Sequence, residues 1–290
     1  MKNPLSSKYS EEKNKALVSR IREQGDRTAM DELIHLHQPF IYNVAWKMTR
    51  DHNDAMDLTQ DTLLIIITKL SQFNFNSSFR TWLYRIVVNE FLQKERKKKA
   101  VHYNSFEDYG NLLDSIPNAE LSIEEKISYK ELTEEMRFGC MMGMLMCLTK
   151  EQRLIYILGD TFGINHNLGG DIFEITPQNF RIKLHRARKD LYNFMNKKCG
   201  LVNKDNPCRC PKKTKTLEQN GALDSQNMVF NVKFKNKVAD YVEEHVEQAD
   251  ESFDEQYTSL YRDHPFKEDF DKETVMTKIL NNVDLMRHFQ

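Results

Sequence analysis

Glycine and proline are scarce in this 290-residue chain, which has 10 glycines and 7 prolines. The glycines are spread thinly, so the sequence contains no glycine-rich loop that would cradle a nucleotide phosphate. Serine, histidine, aspartate and cysteine do not occur in an order typical of a nucleophilic triad. The sequence therefore gives little support to an enzyme, and it predicts no cofactor.

Long apolar runs and an export signal are also lacking. Residues 1–22 are polar and charged, and the longest apolar runs, Leu63–Ile67 and Cys140–Leu148, are far shorter than the roughly 20 residues of a membrane span. The chain has five cysteines, an odd number, which without an export signal argues against a disulfide framework. These absences predict a cytoplasmic protein with no membrane partner.

The net charge of −1 conceals a strong segregation of charge along the chain. Residues 181–216 contain 12 Lys and Arg against 2 Asp and Glu, whereas residues 103–140 contain 3 against 9 and residues 217–290 contain 8 against 16. Basic blocks on both sides of an acidic connector favour a polyanion that is gripped at two places, with solvated helix faces as the alternative.

Helical periodicity dominates the sequence. In residues 1–100 apolar side chains recur at helical spacing, and a second helical segment runs from Ile123 to about Lys198. Between them, His102 to Ser122 shows no sustained period, which predicts a linker. The expected fold is all-α, with two helical domains joined by a flexible linker and an acidic C-terminal extension. The second domain contains a methionine-rich stretch with Met141, Met142, Met144 and Met146. This stretch fits core packing better than a cofactor or soft-metal site.

An acidic helix is expected to open at Asn53 or Asp54. Helical spacing puts four side chains on one face, namely Asp57, Gln60, Asp61 and Leu64, and four others on a second face, namely Ala55, Leu58, Thr62 and Ile65. The first face fits either a docking surface or acids that favour a helix N-terminus. A calcium site lacks support, because Met56 stands where a calcium loop would need its turn glycine.

Aromatic residues precede a run of cations between Phe79 and Lys99. The segment Phe79–Asn89 contains the aromatic side chains, and Lys94–Lys99 supplies the cations. Flat rings stack on exposed bases, and Lys and Arg neutralise the neighbouring phosphates. This combination predicts binding of single-stranded nucleic acid.

A helix-turn-helix pattern lies further along the chain. Leu168–Ile175 reads as a short apolar helix, Thr176 as a turn or N-cap before Pro177, and Gln178 as the start of a basic helix. Side chains at the start of that helix would face base edges, namely Gln178, Asn179, Arg181 and Lys183. Later cations of the helix would reach phosphates, namely Arg186, Arg188 and Lys189. Its expected buried stripe is Phe180, Leu184, Ala187 and Leu191. The alternative is a solvated basic face.

Three cysteines near the end of this helix are candidate ligands of a metal ion. Cys199, Cys208 and Cys210, with His185 upstream, could complete a tetrahedral zinc site. Their spacing is irregular and no C-x-x-C pair exists, so ordinary reduced thiols are favoured and zinc is the alternative.

Four ordered motifs connect these features: Asp54–Thr62, Phe79–Asn89, Leu148–Arg153 and Leu184–Leu191. Together they resemble bacterial RNA polymerase sigma factors of the sigma-70 family, in particular the small extracytoplasmic-function type with only the second and fourth conserved regions. The resemblance covers about residues 26–198. It implies a leader helix at 1–25, a region 2 domain at 26–101, an acidic linker at 102–122, a region 4 domain at 123–198, a basic cysteine-containing segment at 199–216 and an acidic extension at 217–290.

The resemblance also implies partners and site residues. Core RNA polymerase and promoter DNA are the implied partners, and the chain itself would catalyse no reaction. Docking on the clamp helices of the largest polymerase subunit would involve Asp54, Asp57, Gln60, Asp61 and Leu64. The minus-ten element would be opened and held by Asn74, Asn76, Ser77, Ser78, Phe79, Arg80, Trp82, Arg85, Asn89, Lys94, Arg96 and Lys97. The minus-thirty-five element would be read as duplex by Thr176, Gln178, Asn179, Arg181, Lys183, Arg186 and Arg188. Trp82 is expected to be mostly a core residue that holds its helix.

Two departures from the family pattern remain. The first helix of the helix-turn-helix reads Asn167–Phe173 in place of the usual Glu-Ile-Ala type of sequence. The acidic extension is not part of the minimal pattern, and it is a candidate intramolecular mimic of DNA or a docking element for a regulator such as an anti-sigma factor. The competing functions are a stand-alone helix-turn-helix regulator that does not engage polymerase and, more remotely, a metal-dependent hydrolase that uses the helix carboxylates.

Overall fold

The computed structural model describes residues 4–5, 9–94, 105–226 and 228. Every regular element in these ranges is a helix, so the all-α prediction is confirmed. The α-helices are α1 Glu12–Gln24, α2 Arg27–Thr49, α3 His52–Lys69, α4 Phe79–Lys94, α5 Phe106–Ser115, α6 Ile123–Ser128, α7 Lys130–Met146, α8 Lys150–Tyr156, α9 His166–Phe173, α10 Pro177–Lys198 and α11 Cys210–Gln219. Within the described ranges, no helix combines the length and the apolar character that a membrane span needs.

The chain forms two compact units that alternate along the sequence. Of the described residues, the first unit contains those up to residue 94 together with 157–182, and the second contains 105–156, 183–226 and 228. Helix α10 therefore begins in the first unit and continues in the second. The domain boundaries expected from the sequence stay predictions.

Helix α2 forms the centre of the first unit. Helices α1 and α3 pack against it, and α4 packs against α3. The periodic residues Met30, Leu33, Ile34 and His37 are all buried. Polar caps set the helix starts, because Asp26 accepts a hydrogen bond from Ala29 N at 3.0 Å and Asp51 accepts one from Asp54 N at 2.8 Å. A turn of π-helix at Ile157–Thr161 also packs on α2.

Helix α7 supplies a large part of the core of the second unit. Its four methionines of the methionine-rich stretch are buried, in agreement with core packing. Tyr109 of α5 packs so closely on Gly143 of α7 that a Cβ at that position would overlap the tyrosine ring, and the Tyr109 hydroxyl donates to Cys140 O at 2.9 Å. Arg153 is buried and donates to three carbonyls at the end of α7: Leu145 O at 2.9 Å, Met146 O at 3.2 Å and Leu148 O at 3.2 Å.

The segment expected to be a flexible linker differs from that expectation, because it contains α5. Ser105 caps this helix by accepting from Asp108 N at 3.0 Å, and Tyr109 is 4% exposed. The helix has only 10 residues and a single buried aromatic side chain, so its sequence shows no sustained apolar period. Tertiary contact with α7, rather than an intrinsic pattern, stabilises it.

Helix α11 packs against α7 and holds the segment between α5 and α6. The Lys213 side chain, 5% exposed, donates to Leu113 O at 2.7 Å and to Ile116 O at 2.5 Å, which satisfies carbonyls at the C-terminal end of α5. Thr216 donates to Pro117 O at 2.9 Å. Residues 199–219 are therefore an integral part of the second unit.

Candidate polymerase and nucleic-acid surfaces

The acidic face of α3, which carries Asp57 and Asp61, is exposed to solvent as predicted. The helix begins at His52, slightly earlier than expected, because Asp51 is its N-cap. Asp57 and Asp61 are exposed, and Gln60 and Leu64 are partly buried beside them. The opposite face is the packing face, where Ala55, Leu58 and Thr62 are buried and Ile65 is partly buried. One helix thus packs inward along one face and exposes the carboxylates of Asp57 and Asp61 on the other.

The acidic face is linked to the basic end of α4. Lys94, the last residue of α4, forms an ion pair with Asp61. Both side chains are substantially exposed, so this pair contributes little to stability and is open to exchange with an external partner. A residue predicted for polymerase docking and one predicted for DNA binding are therefore neighbours in space.

An aromatic cluster lies at the start of α4. Trp82 is partly buried, and its ring centroid lies 5.3 Å from that of Phe73 and 5.6 Å from that of Phe79. Phe79 is 0% exposed, so the structure corrects its expected role: it supports the cluster from inside and cannot stack on a base. For Trp82 these contacts agree with the expected core role.

The loop before α4 carries the polar residues predicted for the minus-ten element. Asn74 and Asn76 are exposed, and the Asn74 side chain accepts from Asn76 N at 3.2 Å. Ser77 and Ser78 are partly buried. Ser78 caps α4, because its hydroxyl oxygen accepts from Thr81 N at 3.1 Å. The asparagines are therefore presented to solvent, while Ser78 fixes the direction in which α4 leaves the loop.

Phe75, which the sequence analysis did not select, is the most exposed aromatic side chain of this loop. It is 42% exposed and has a φ of +61°, a left-handed conformation that a bulky residue rarely adopts. Its ring lies 4.8 Å from that of Phe73, and the Arg22 guanidinium lies 5.8 Å from its centroid. The surrounding structure therefore holds an apolar ring in water beside two exposed asparagines. The sequence feature that could have indicated Phe75 is the position of an aromatic residue among the polar residues of this loop.

The predicted cations of α4 are engaged within the first unit. Arg80 lies 3.4 Å from a Glu11 carboxylate oxygen, and its Nη1 donates to Pro4 O at 3.3 Å. Arg85 donates from Nε to Asp171 O of α9 at 2.7 Å. Asn89 is exposed. Arg96 and Lys97 lie outside the described residues.

Behind α4, His37 of α2 connects the two helices. Its ring centroid lies 5.7 Å from that of Phe79 and 6.1 Å from that of Tyr84. Its Nε2 lies 3.2 Å from Asn14 Oδ1, an acceptor, so Nε2 carries the proton. Burial, with a smaller effect of the Arg80 charge, lowers the pKa of His37 to about 3. The imidazole is therefore neutral when it packs under α4.

Two helices form at the predicted helix-turn-helix, but the first of them, α9, spans His166–Phe173 and so lies two residues earlier at each end than expected. Pro177 is the first residue of α10, and Thr176 accepts from Asn179 N at 3.2 Å. The predicted stripe is buried: Phe180, Leu184, Ala187 and Leu191. The unusual glycine in α9 has a packing reason, because a Cβ on Gly169 would overlap the ring of Phe180. Gly169 thus leaves the space that the Phe180 ring of α10 occupies against α9.

The outer face of α10 is exposed near its start. Thr176, Gln178, Asn179, Arg181 and Arg186 are exposed, and Arg188 is partly buried. Lys183 lies 2.8 Å from a Glu151 carboxylate oxygen, so it is not free in this conformation. Ile182, which the sequence analysis did not select, is 38% exposed among these polar residues. An exposed apolar side chain here is suited to contact with a thymine methyl group.

These features define an all-helical protein of the helix-turn-helix class. Comparison with protein-family models matches residues 33–101 to Sigma-70 region 2. The extracytoplasmic-function (ECF) RNA polymerase sigma factor SigE of Mycolicibacterium smegmatis is 27% identical over 60% of this chain and 65% of its own length. The ECF sigma factor SigW of Bacillus subtilis is 23% identical over 58% of this chain and 89% of its own length.

A solved structure, that of CnrH in complex with the cytosolic domain of CnrY, also matches. Its identity is 16%, its TM-score is 0.47, and the match covers 64% of this chain and 98% of that chain. The region 2 match and these curated relatives support an RNA polymerase sigma factor of the sigma-70 family, in its extracytoplasmic-function branch.

Acid should destabilise the first unit through His37. The unfolded histidine binds a proton below about pH 6.5, whereas the folded one resists it down to about pH 3. The contribution of neutral His37 to the free energy of unfolding is therefore complete above pH 6.5. It is lost as the pH falls toward 3, by up to about 1.4 kcal/mol per pH unit. Urea unfolding of wild type and His37→Gln from pH 7 to pH 4.5 measures this slope. An equal slope in both proteins would contradict the assignment.

Proposed function

We propose that this chain binds core RNA polymerase and directs it to promoters, where it recognises the minus-thirty-five and minus-ten elements and helps to open the DNA. The observation that carries the proposal is the juxtaposition, on two packed helices, of an exposed acidic face on α3 and an aromatic and basic surface at α4. The protein would supply no catalytic group of its own, and it would act in the cytoplasm, where the polymerase works.

Docking on polymerase is assigned to the exposed face of α3. Asp57 and Asp61 carry the charge, and Gln60 and Leu64 add a polar and an apolar contact. Complementary charge speeds encounter and fixes the register of an interface. Because the other face of α3 is buried against α2 and α4, docking at this site would hold the DNA-binding helix at a fixed position on the polymerase.

Capture of the melted strand is assigned to the loop before α4. Phe75 offers an exposed ring, and Asn74 and Asn76 offer amide groups that can hydrogen-bond to base edges. A flipped base needs both a stacking surface and polar groups along its edge. The contact between Arg85 and Asp171 of α9 would have to open before Arg85 could reach a phosphate.

Reading of the duplex is assigned to α10. Gln178, Asn179 and Arg181 project from its first turns, where a recognition helix meets base edges in the major groove. Arg186 lies further along and would contact phosphate. An anti-sigma factor or the acidic C-terminal extension is a further expected partner, because either could compete with DNA for these cations. Most of that extension lies outside the described residues.

Charge reversal on α3 tests polymerase docking. The double variant Asp57→Lys with Asp61→Lys should bind core polymerase on the order of 100-fold more weakly, since like charges at an interface cost several kcal/mol. Duplex binding through α10 should be unchanged. Affinity for core polymerase and for a minus-thirty-five duplex would be measured in parallel. The control is Glu107→Lys with Glu131→Lys, two exposed acids of the second unit. Full retention of polymerase binding by the α3 variant would contradict the assignment of docking to this face.

Truncation of Phe75 tests base capture. The variant Phe75→Ala should weaken the open complex by about 1–3 kcal/mol, the value of one base stacked on an aromatic ring. Permanganate reactivity of minus-ten thymines, measured with polymerase holoenzyme over a range of protein concentrations, reports the loss. Leu112→Ala is the matched control, because Leu112 is also 42% exposed and lies in the second unit. Unchanged melting with Phe75→Ala would remove Phe75 from the site.

A further inference from the structure

Helix α1 lies against the loop that precedes α4. It packs on α2, and it also contacts α4 and the 3₁₀ turn Leu70–Gln72 that leads into the loop. Its apolar residues Leu17, Val18 and Ile21 are each at most 3% exposed. The match to the family model begins at residue 33, so α1 lies outside it. The contacts of α1 with the loop are therefore a property of this chain that the family match does not cover.

Arg22, in the last turn of α1, holds the backbone of this loop. Its Nη1 donates to Phe73 O at 2.6 Å. Phe73 directly follows the 3₁₀ turn, and its side chain is 2% exposed. A hydrogen bond from a charged donor is shorter and stronger than one between neutral groups. Arg22 therefore fixes the chain two residues before Phe75, whose backbone is in the left-handed region.

The same side chain borders the exposed ring of Phe75. The guanidinium carbon of Arg22 lies 5.8 Å from the centroid of that ring, and the ring of Phe73 lies 4.8 Å away between centroids. A cation at this distance over an aromatic face is attracted by the quadrupole of the ring. Because Arg22 is itself exposed, the ring and the cation are presented to solvent together.

The position of Arg22 is set by the connection between α1 and α2. Gly25, with a φ of +60°, ends α1, and its N–H donates to Ile21 O at 3.0 Å. The next residue, Asp26, caps α2 and accepts from Arg20 Nη2 at 2.7 Å. The end of α1 that carries Arg22 is therefore fixed on α2, the buried centre of the first unit.

Arg22 differs in its pairing from two cations that the sequence predicted for DNA binding. Arg80 lies 3.4 Å from a Glu11 carboxylate oxygen, and Lys94 forms an ion pair with Asp61. In the part of the chain that the structure describes, Arg22 forms no ion pair with a carboxylate. A guanidinium has five N–H donors, and the bond to Phe73 O uses one of them. Arg22 could therefore meet a phosphate without first leaving an internal acid.

We propose that Arg22 is a further strand-binding residue, which supports Phe75 from α1 and contacts a phosphate of the melted strand beside the base that stacks on that ring. The planar fork of a guanidinium can bond two phosphate oxygens at once. The loop supplies the stacking ring and α1 supplies the cation, a combination that suits single-stranded nucleic acid. This inference rests on the proposed capture of the melted strand by the loop before α4.

The salt dependence of strand binding tests the role of Arg22. Holoenzyme is assembled from core polymerase and the full-length chain. The probe is a fluorescein-labelled single strand of a promoter whose minus-ten thymines the holoenzyme makes reactive to permanganate. Arg22→Ala should bind this strand about tenfold more weakly, the value of one charge-assisted hydrogen bond. The slope of log affinity against log KCl concentration should become shallower by about 0.7, the contribution of one phosphate contact on a single strand.

Three further variants make the slope specific. Arg22→Lys keeps the charge and should keep the wild-type slope, whereas Arg22→Gln keeps a donor for Phe73 O and should lose slope as Arg22→Ala does. Lys13→Ala removes a cation from the opposite side of α1, since nine residues at about 3.6 per turn make two and a half turns. Lys13 is exposed and lies 2.7 Å from a Glu32 carboxylate oxygen, so this variant should bind the strand as wild type does. Thermal unfolding checks that each variant is folded.

The outcomes separate this inference from the proposed function. A wild-type slope in both Arg22→Ala and Arg22→Gln, with weakened binding in Phe75→Ala, would overturn the phosphate contact alone and leave Arg22 a structural residue. Unchanged binding in Phe75→Ala and in both neutral variants of Arg22 would overturn strand capture at this loop, and this inference with it. An equal loss of slope in Lys13→Ala would also overturn the inference, because the effect would then be one of net charge.

Discussion

Burial of helix α2 is the constraint on which the first unit depends. All residues from His37 to Met48 are buried, so this half of the helix has no solvent face. Such a helix is stable in water only when other elements cover it. Helices α1 and α3 and the π-helical turn at Ile157–Thr161 provide that cover, and Phe162 adds a ring contact to Phe40 at 6.0 Å between centroids. The positions of the candidate surfaces follow from this arrangement.

Helices α3 and α4 each bury one face and expose polar side chains on another. Helix α3 buries Ala55 and Leu58 and leaves Asp57 and Asp61 exposed. Helix α4 leaves Asn89 exposed and directs Arg85 to α9, and it buries a stripe of five side chains: Leu83, Tyr84, Val87, Val88 and Phe91. Because each helix is fixed along one face, the charged groups on the other face keep a defined spacing. That spacing would give the proposed polymerase-docking surface and the proposed strand-binding surface a constant relation within one unit.

Local rules explain what could be predicted from the sequence. The N-cap at Thr176, the proline at the start of α10 and its buried stripe depend on neighbouring residues, so they follow from helical spacing alone. Exposure of Asp57 and Asp61 follows in the same way. The family resemblance, in turn, supplied roles that the acidic and basic faces could not distinguish by themselves.

Tertiary structure explains what the sequence analysis missed. Helix α5 was not expected, because it is short and depends on Tyr109 packing against α7. Phe75 combines an exposed ring with a left-handed backbone conformation, which no spacing rule indicates. Phe79 was expected at the surface because aromatic composition does not distinguish a stacking ring from the ring that supports it.

The most direct measurement is in vitro transcription from a library of promoter fragments, using core RNA polymerase from the native host with and without this protein. We expect transcripts that appear only when the protein is present and that share a motif upstream of their start sites. Binding of the protein to DNA without any protein-dependent initiation would contradict it and would indicate a stand-alone helix-turn-helix regulator.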